Sequence, residues 1–532
     1  MSQSYNLLNE PWLPVRWRGG EQPSQIGLRE AMLRAHEIVE LATDNPLETL
    51  ALNRLLAALA ASVFEELAEE TVWLAVWDRG RFDPEQCEEY FNHAEWSDHF
   101  DLLSPTRPFF GHPHPDAKEV SPVSRLLHAA ASGNNAVLFS HNLDSNAKPM
   151  ALDEAARAVV CTQAAALGGG VAQPFNLCHA PLVGGAFFWL RGRVDEVPSL
   201  FHALLLNLAP TQKIWGNPER DAGPAWAAKA LPNAQKDRQV NGIRDLFTFQ
   251  SRRLQLVLGP NGKEVVGVRY NQGSKMDLRF HDPHLAYRQG PEGEFPMRFG
   301  TEKALWQDSG VYMTALHSAG HAPRTFEWLS DPEILDLLGL PRNAAFAADV
   351  FGMVNDQAKV ELWRHERVTI YPNIINDANR AGTLKNLLDN PLSPGIDAKK
   401  QASRLREATR AFAMRARLNK TWGTRLGDVE RADCDAFVQM LDTGSRYWTK
   451  LGSHFTTYLA RVATLPVEEL PNVEKSWQMC IRKAATAAME EALHSLAHDA
   501  RTWQALADAN MILTYGTLYP KHEKNKHNEK EE

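Results

Sequence analysis

The period of the apolar positions divides this chain in two. Up to residue 388 strand-like and helix-like patterns alternate, and after residue 395 only the helical period remains. Residues 7–17 mix apolar and β-favouring side chains with prolines at 11 and 14, and read as an edge strand because proline cannot donate to a ladder. Asp44-Asn45-Pro46 supplies a cap and a first-turn proline, after which Leu47, Leu50, Leu55, Leu59 and Phe64 recur at helical spacing. Residues 129–149, rich in Ala, Ser, Gly and Asn around the apolar island Val137-Leu138-Phe139, read as a long exposed loop. Residues 151–167 form an alanine-rich helix that stops at Gly168, Gly169 and Gly170. Residues 184–191 and 254–270 read as strands, the latter a hairpin turning at Gly259-Pro260-Asn261-Gly262. Strand signals at 345–353 and 360–364 flank Asn355-Asp356-Gln357.

Residues 389–395, DNPLSPG, are a turn-rich linker. Beyond it Trp448, Leu451, Phe455, Tyr458 and Val462 follow 3-4 spacing, and Trp477, Ile481 and Ala484 open a second long helix. Antiparallel helices at about 398–420, 432–442, 445–463 and 473–499, with a short one near 501–515, fit a bundle. The expected fold class is therefore α+β: a large mixed α/β domain over 1–388, then a C-terminal four-helix bundle over 396–520. The tail 521–532 has no apolar residue and is expected to be disordered. The chain shows no internal repeat.

Composition narrows the function more than the fold. The 532 residues are 44% hydrophobic and 23% charged, enough for a large core. No apolar run approaches the roughly 20 residues that span a bilayer, and the N-terminus lacks the order of a signal peptide, which places the protein in the cytoplasm without a membrane partner. Cys87, Cys161, Cys178, Cys434 and Cys480 are an odd, scattered set without a CxxC pair, against both a disulfide framework and a structural zinc site. A net charge of -8 means that any polyanion must be met by a local basic patch or by a surface that partner subunits complete.

Enzymatic motifs are weak. His112-Pro-His114-Pro-Asp116 and His281-Asp282-Pro283-His284 bring imidazoles and carboxylates together but lack the helical i, i+4 pair of a zincin, and loop histidines beside prolines are the plainer reading. The turn at 259–264 is too short for a phosphate loop, and Glu264 replaces the magnesium-holding hydroxyl. The Gly168 triplet lacks the third glycine of a dinucleotide fingerprint, because residue 173 is Gln, and no Gly-x-Ser-x-Gly elbow occurs. No cofactor is called for. By residue type alone the three glycines are a helix cap and tight turn, and Asn355 to Ala358 an ordinary polar turn. Between Lys399 and Lys420 the chain carries Lys399, Lys400, Arg404, Arg406, Arg410, Arg415, Arg417 and Lys420 against the single acid Glu407. Lys400, Arg404, Arg410 and Arg417 then contact a DNA backbone or a neighbouring subunit, or pair with acids of the bundle.

Three segments, taken in order and at these separations, carry a family resemblance: YNLLNEPWLPV at 5–15, the triplet Gly168 to Gly170, and NGIRDLFTFQSRRLQLV at 241–257. Together they resemble the large subunit, the CasA family, of the type I-E CRISPR Cascade surveillance complex, over the whole chain. The resemblance implies a non-catalytic protein that reads the protospacer-adjacent motif in double-stranded DNA, starts strand separation and R-loop formation, and recruits the CRISPR helicase-nuclease. Its implied partners are the guide RNA, the target duplex and the other Cascade subunits. It implies that Gly168, Gly169 and Gly170 enter the motif's minor groove and that Lys275 meets groove acceptors. Gln357 is implied as a wedge below the motif, flanked by Asp356, where asparagine is expected, and by Ala358. Phe139 and His141, the latter again in place of asparagine, are implied near the guide-RNA end. The rival readings are a metal-dependent nuclease or hydrolase built on the His112 and His281 clusters, and a scaffold that joins subunits without touching DNA.

Overall fold

The computed structural model describes residues 4–516 apart from 118, 128–146, 218–219, 232, 278–280, 302, 315–319, 357–358, 390–396, 495 and 497–498. The chain forms two compact units, Met1–Leu305 with Val311–Asn376, and Trp306–Gly310 with Asp377–Glu532.

The first unit opens on β1 (Leu13–Trp17), flanked by β2 (Ser24–Ile26) and β3 (Ile38–Leu41) in the order β2-β1-β3. The proline-bearing strand is thus central, not at the edge as its sequence suggests. Pro14 is tolerated because pairing with β3 starts only at Val15, while its own carbonyl still accepts from the Ala42 N–H at 2.8 Å. Helix α1 (Pro46–Val63) begins where expected: the Asn45 side chain accepts from the N–H groups of Leu47 and Glu48, and Pro46 sets the first turn. From Leu50 to Ser62 every residue of α1 is buried, so it is the central rod of the unit rather than a surface helix. Its one arginine, Arg54, pairs with Asp282 at 2.6 Å and lies 4.2 Å above the Phe247 ring.

Helix α2 (Leu152–Ala165) packs against α1, followed by β4 (Ala186–Arg193) and α3 (Leu200–Asn207). The hairpin of β5 (Arg252–Leu258) and β6 (Glu264–Gln272) turns where the sequence places it, with Gly262 at φ +68° and its N–H on the Gly259 carbonyl. Strands β7 (Phe346–Asp356) and β8 (Lys359–Ile370) form a longer hairpin, and β7 pairs on its other side with β4, giving the order β8-β7-β4. The side chains of this sheet alternate between faces. Phe188 packs against Tyr312 and Phe326 on one face, while Trp189, Arg191, Asp349, Phe351, His365 and Arg367 share the other. Pairing of β7 with β4 ends at Gly352 and Ala186, so Met353 to Asp356 have only β8 beside them.

The second unit is helical: α4 (Ala378–Leu388), α5 (Ala398–Leu418), α6 (Asp428–Leu441), α7 (Thr443–Thr464), α8 (Leu470–Leu493) and α9 (Ala500–Tyr515). The protein is therefore a mixed α/β unit joined to a bundle of long helices. Helix α4, placed by its sequence on the far side of the boundary, belongs with the bundle because Trp477 on α8 donates its indole N–H to the Leu387 carbonyl at 2.7 Å. Most of the expected linker lies outside the described residues. On α7 the buried stripe is Tyr447, Leu451, Phe455, Leu459 and Val462, with Trp448 and Tyr458 at its half-buried margins. Trp448 and Tyr458 stay only partly buried, and their neighbours Tyr447 and Leu459 take the interior.

Replacing the α1 cap, Asn45→Ala, is expected to destabilise the first unit by about 1 kcal/mol. Denaturant unfolding should show a lower midpoint at constant slope. An unchanged midpoint would mean that the cap contributes nothing beyond what water supplies.

Candidate nucleic-acid interface

Helix α2 ends at Ala165, short of the glycines, and the chain then runs out into a loop and back to β4. Five donor contacts from one buried side chain fix the root of that loop. Arg252, 1% exposed, donates to the carbonyls of Ala166 (3.3 Å), Leu167 (2.9 Å), Cys178 (2.6 Å) and Ser251 (2.9 Å) and to the Tyr270 hydroxyl (2.8 Å). Among the described residues no carboxylate pairs with it. Its charge is instead shared among carbonyl dipoles at the C-terminal end of α2, where a cation is favoured. Other buried polar groups continue the frame. Gln163 donates to the carbonyls of Phe110 (2.7 Å) and Arg252 (2.9 Å), Asn271 accepts from the Gln173 N–H (2.9 Å), and Gln272 accepts from the Cys178 N–H (2.8 Å). Arg253 holds the Gln173 carbonyl at 3.0 Å and is itself paired with Asp116.

The three glycines occupy different environments within this frame. A Cβ on Gly168 would lie 2.9 Å from the backbone of Cys178 and His179, so the two arms of the loop approach too closely for any side chain. Gly168 donates its N–H to His179 Nδ1 at 3.0 Å, and Gly169 donates to the Leu177 carbonyl at 3.0 Å. Gly169 (φ +111°) and Gly170 (φ +79°) both have backbone angles that L side chains resist, and nothing lies within 4 Å of a Cβ on Gly170. The tip is solvent-facing: Gly169 and Gly170 are exposed, and Val171 is 91% exposed. The first glycine is thus needed for close packing, while the other two present bare backbone to the outside.

Two cations lie beside the returning arm of the loop. Burial, with Arg252 and Arg298 adding to it, lowers the His179 pKa, so that imidazole is neutral at pH 7. Arg298 is exposed, with a guanidinium nitrogen 3.1 Å from where a Cβ on Gly184 would stand, and has no ion pair among the described residues. The Lys275 ammonium lies 3.1 Å from Asp237, and the neighbouring Ser274 carbonyl accepts from the Cys178 thiol at 3.7 Å. The structure therefore sets the Lys275 segment directly against the returning arm of the glycine loop. Asp356 ends β7, exposed and in register with Lys359. The loop segment enters the sheet at Ala186, opposite Gly352, at the same end from which the β7-β8 ribbon projects. Gln357 and Ala358 at the ribbon tip, and Phe139 and His141 in the expected exposed loop, lie outside the described residues.

The basic helix α5 is engaged within its own unit. Lys399 pairs with Asp389, Lys400 with Asp397, Arg410 with Asp435, Arg415 with Asp508, Arg417 with Asp433 and Lys420 with Glu430, while Arg404 reaches the Thr514 carbonyl at 3.4 Å. Three of these acids lie on α6, whose first turns are as acidic as α5 is basic. Of the two readings of the basic stretch, these contacts favour pairing with acids of the bundle. The histidine clusters are also occupied: His112 Nδ1 accepts from the His114 N–H at 3.1 Å, Asp116 serves Arg253, and His281 faces Glu294 at 3.6 Å. Among the described residues no group of three or more His, Cys, Asp or Glu is placed to hold a metal.

Sequence reasoning missed Gln163, Arg252, Arg253, Asn271, Gln272 and Arg298. The available signal was two adjacent arginines at the head of an apolar strand, facing two consecutive amides on the strand that pairs with it.

Comparison with known proteins bears on the whole chain. Residues 6–488 match the family model described as CRISPR-associated protein Cse1. The CRISPR-associated protein CasA/Cse1 of Thermus thermophilus is 29% identical over 523 residues, covering 95% of each chain. A solved structure of Thermus thermophilus CasA (Cse1) superposes with a TM-score of 0.77 at 24% identity, covering 97% of this chain and 99% of that one. A chain of a structure titled CRISPR RNA-guided surveillance complex superposes with a TM-score of 0.71 at 20% identity, covering 96% and 99%. The agreement of sequence and fold over nearly the full length leaves one assignment: the chain belongs to the CRISPR-associated Cse1, or CasA, family.

Proposed function

We propose that this protein is the DNA-recognition subunit of an RNA-guided surveillance complex in the cytoplasm, and that it reads a short motif in duplex DNA through the glycine loop. One observation carries the reading: a loop whose root is locked by Arg252 ends in two exposed glycines, with open space around the Cβ position of Gly170. A minor groove is only about 6 Å wide, and bare backbone enters it where a side chain would collide. Lys275 and Arg298, beside the returning arm of the loop, supply charge for groove acceptors and phosphates. Sequence along the target is delegated to guide-RNA pairing, a division of labour in which the protein reads only the motif. The β7-β8 ribbon then brings Gln357 beneath the motif as a wedge, with Asp356 and Ala358 beside it. Insertion at a base step costs a few kcal/mol, offset by contacts to the opened duplex. The subunit acts without catalysis of its own, docks on the guide-RNA end beside the other subunits through the Phe139 and His141 loop, and recruits the helicase-nuclease. The surveillance-complex structure to which the fold is similar supports that assembly.

Substitution along the loop should separate folding from recognition. Gly170→Asn, a residue that accepts left-handed angles, should leave stability within about 1 kcal/mol of the parent yet weaken binding of motif-bearing duplex by the assembled complex. Gly168→Ala should instead lower the melting temperature, because its Cβ meets backbone. Normal duplex binding by a folded Gly170→Asn complex would sink the groove reading.

Gln357→Ala should slow opening of the target more than it weakens initial capture, since a wedge acts after docking. Fluorescent base analogues beside the motif report the step, and equal opening rates would remove Gln357 from the mechanism.

Because α5 is paired internally, neutralising Arg410 and Arg417 should leave the salt dependence of DNA binding unchanged and cost the helical unit no more than about 1 kcal/mol per pair. Each phosphate contact actually lost would flatten the log–log slope by about 0.9 on duplex DNA, so a shift of that size would return the helix to the DNA interface.

A further inference from the structure

The side chain that holds the glycine triplet has one ring nitrogen to spare. Among the described residues His179 is the one side chain hydrogen-bonded to the triplet, accepting from the Gly168 N–H through Nδ1 at 3.0 Å. Its own backbone nitrogen is 2.9 Å from the Cβ position of Gly168, so the imidazole belongs to the part of the returning arm that lies against the residue before the exposed Gly169. Both neighbours of His179 are fixed. The Cys178 N–H donates to Gln272 (2.8 Å) and the Cys178 carbonyl accepts from Arg252 (2.6 Å), while the Ala180 N–H donates to the Ala166 carbonyl (2.9 Å). The ring is therefore placed by the same frame that shapes the loop.

The bond to Gly168 decides what the other nitrogen can do. A neutral imidazole carries a single N–H, and a nitrogen that accepts a hydrogen bond cannot be the one that bears the hydrogen. The hydrogen therefore sits on Nε2. Burial of the inner part of the ring, with the positive charges of Arg252 and Arg298, holds the pKa below its ordinary value and keeps this tautomer, rather than the imidazolium, at pH 7. The side chain as a whole is exposed, and among the described residues nothing pairs with Nε2. His179 thus carries a neutral donor of fixed orientation at the base of the glycine loop. Every base pair offers acceptors on the floor of the minor groove, purine N3 and pyrimidine O2, and the guanine amino group is the only donor there. A locked N–H matches those acceptors, and being uncharged it reads a base edge rather than the phosphate backbone.

Building on the groove reading of the glycine loop, we propose that His179 is a further specificity-determining residue, donating its Nε2–H to a base-edge acceptor of the motif while Nδ1 holds Gly168. The test pairs His179→Asn, whose amide oxygen can still accept from Gly168 but which has no atom in place of Nε2, with duplexes in which a base analogue removes purine N3 or pyrimidine O2 at one motif position at a time. In the assembled complex, the analogue at the contacted position should weaken binding by the parent about fivefold, the equivalent of one net hydrogen bond, and His179→Asn should show the same loss on the natural duplex. Combining the two should cost nothing more. Losses that multiply at every position overturn the proposal, and if Gly170→Asn still weakens motif binding the groove reading outlives it. A parent indifferent to every analogue overturns both. Should His179→Asn melt early, His179→Gln, whose amide nitrogen reaches the Nε2 position, must keep the sensitivity to that analogue, and its loss there overturns the contact.

Discussion

A single buried guanidinium organises the proposed interface. Arg252 is satisfied almost wholly by carbonyl oxygens, at the end of α2 and on both arms of the loop that follows. A carboxylate partner could have neutralised it, but a single acid cannot hold two separate stretches of backbone in register. Five fixed donors can. The loop thereby acquires a defined shape without a hydrophobic core of its own, and an uncancelled positive charge remains beneath a surface proposed to meet a polyanion. Truncating this side chain would release the carbonyls of Leu167 and Cys178, on the two arms of the loop, while those of Ala166 and Ser251 keep the N–H groups of Ala180 and Gly273.

The features of the sequence that were easy to read were those whose cause is local. The Asn45-Pro46 start of α1, the 259–262 turn and the long helices of the second unit follow from caps, turn chemistry and period, and each lies within a few residues of its expected place. The errors arose where a distant partner decides. Pro14 looked incompatible with a central strand because the sequence does not show that β3 begins its pairing one residue later. Helix α4 looked like the end of the first domain because nothing in its own residues reveals Trp477. For the site, the glycines were visible and their division of labour was not: the clash that makes Gly168 indispensable comes from Cys178 and His179, on the other side of the loop. The basic stretch on α5 left two readings open for the same reason, since the acids that pair with it lie on other segments of the bundle.

One sheet carries two unlike faces. Its Phe188 face is ordinary aromatic packing. The opposite face carries a network of ion pairs bordering a cavity, which costs more desolvation than an apolar filling of the same volume would. Such a network makes geometry sharp, because Asp349 must satisfy β4 and β8 simultaneously through Arg191, Arg367 and His365. The register of the three strands is therefore set by charge as well as by apolar alternation, and the position of the ribbon beyond them follows from that register.

That ribbon behaves as a cantilever. From Met353 to Asp356 it has two strands, while behind Gly352 it is clamped in three. A load applied at the tip bends such a beam most at the clamp, where Gly352 lies against the Gly185 carbonyl and the Phe299 ring too closely to admit even a Cβ, and where the register slips between Val354 and Asn355. A load at the tip would thus be resisted by main-chain packing at the fulcrum, and the stiffness of the lever resides in the close approach of Gly352 to the Gly185 carbonyl.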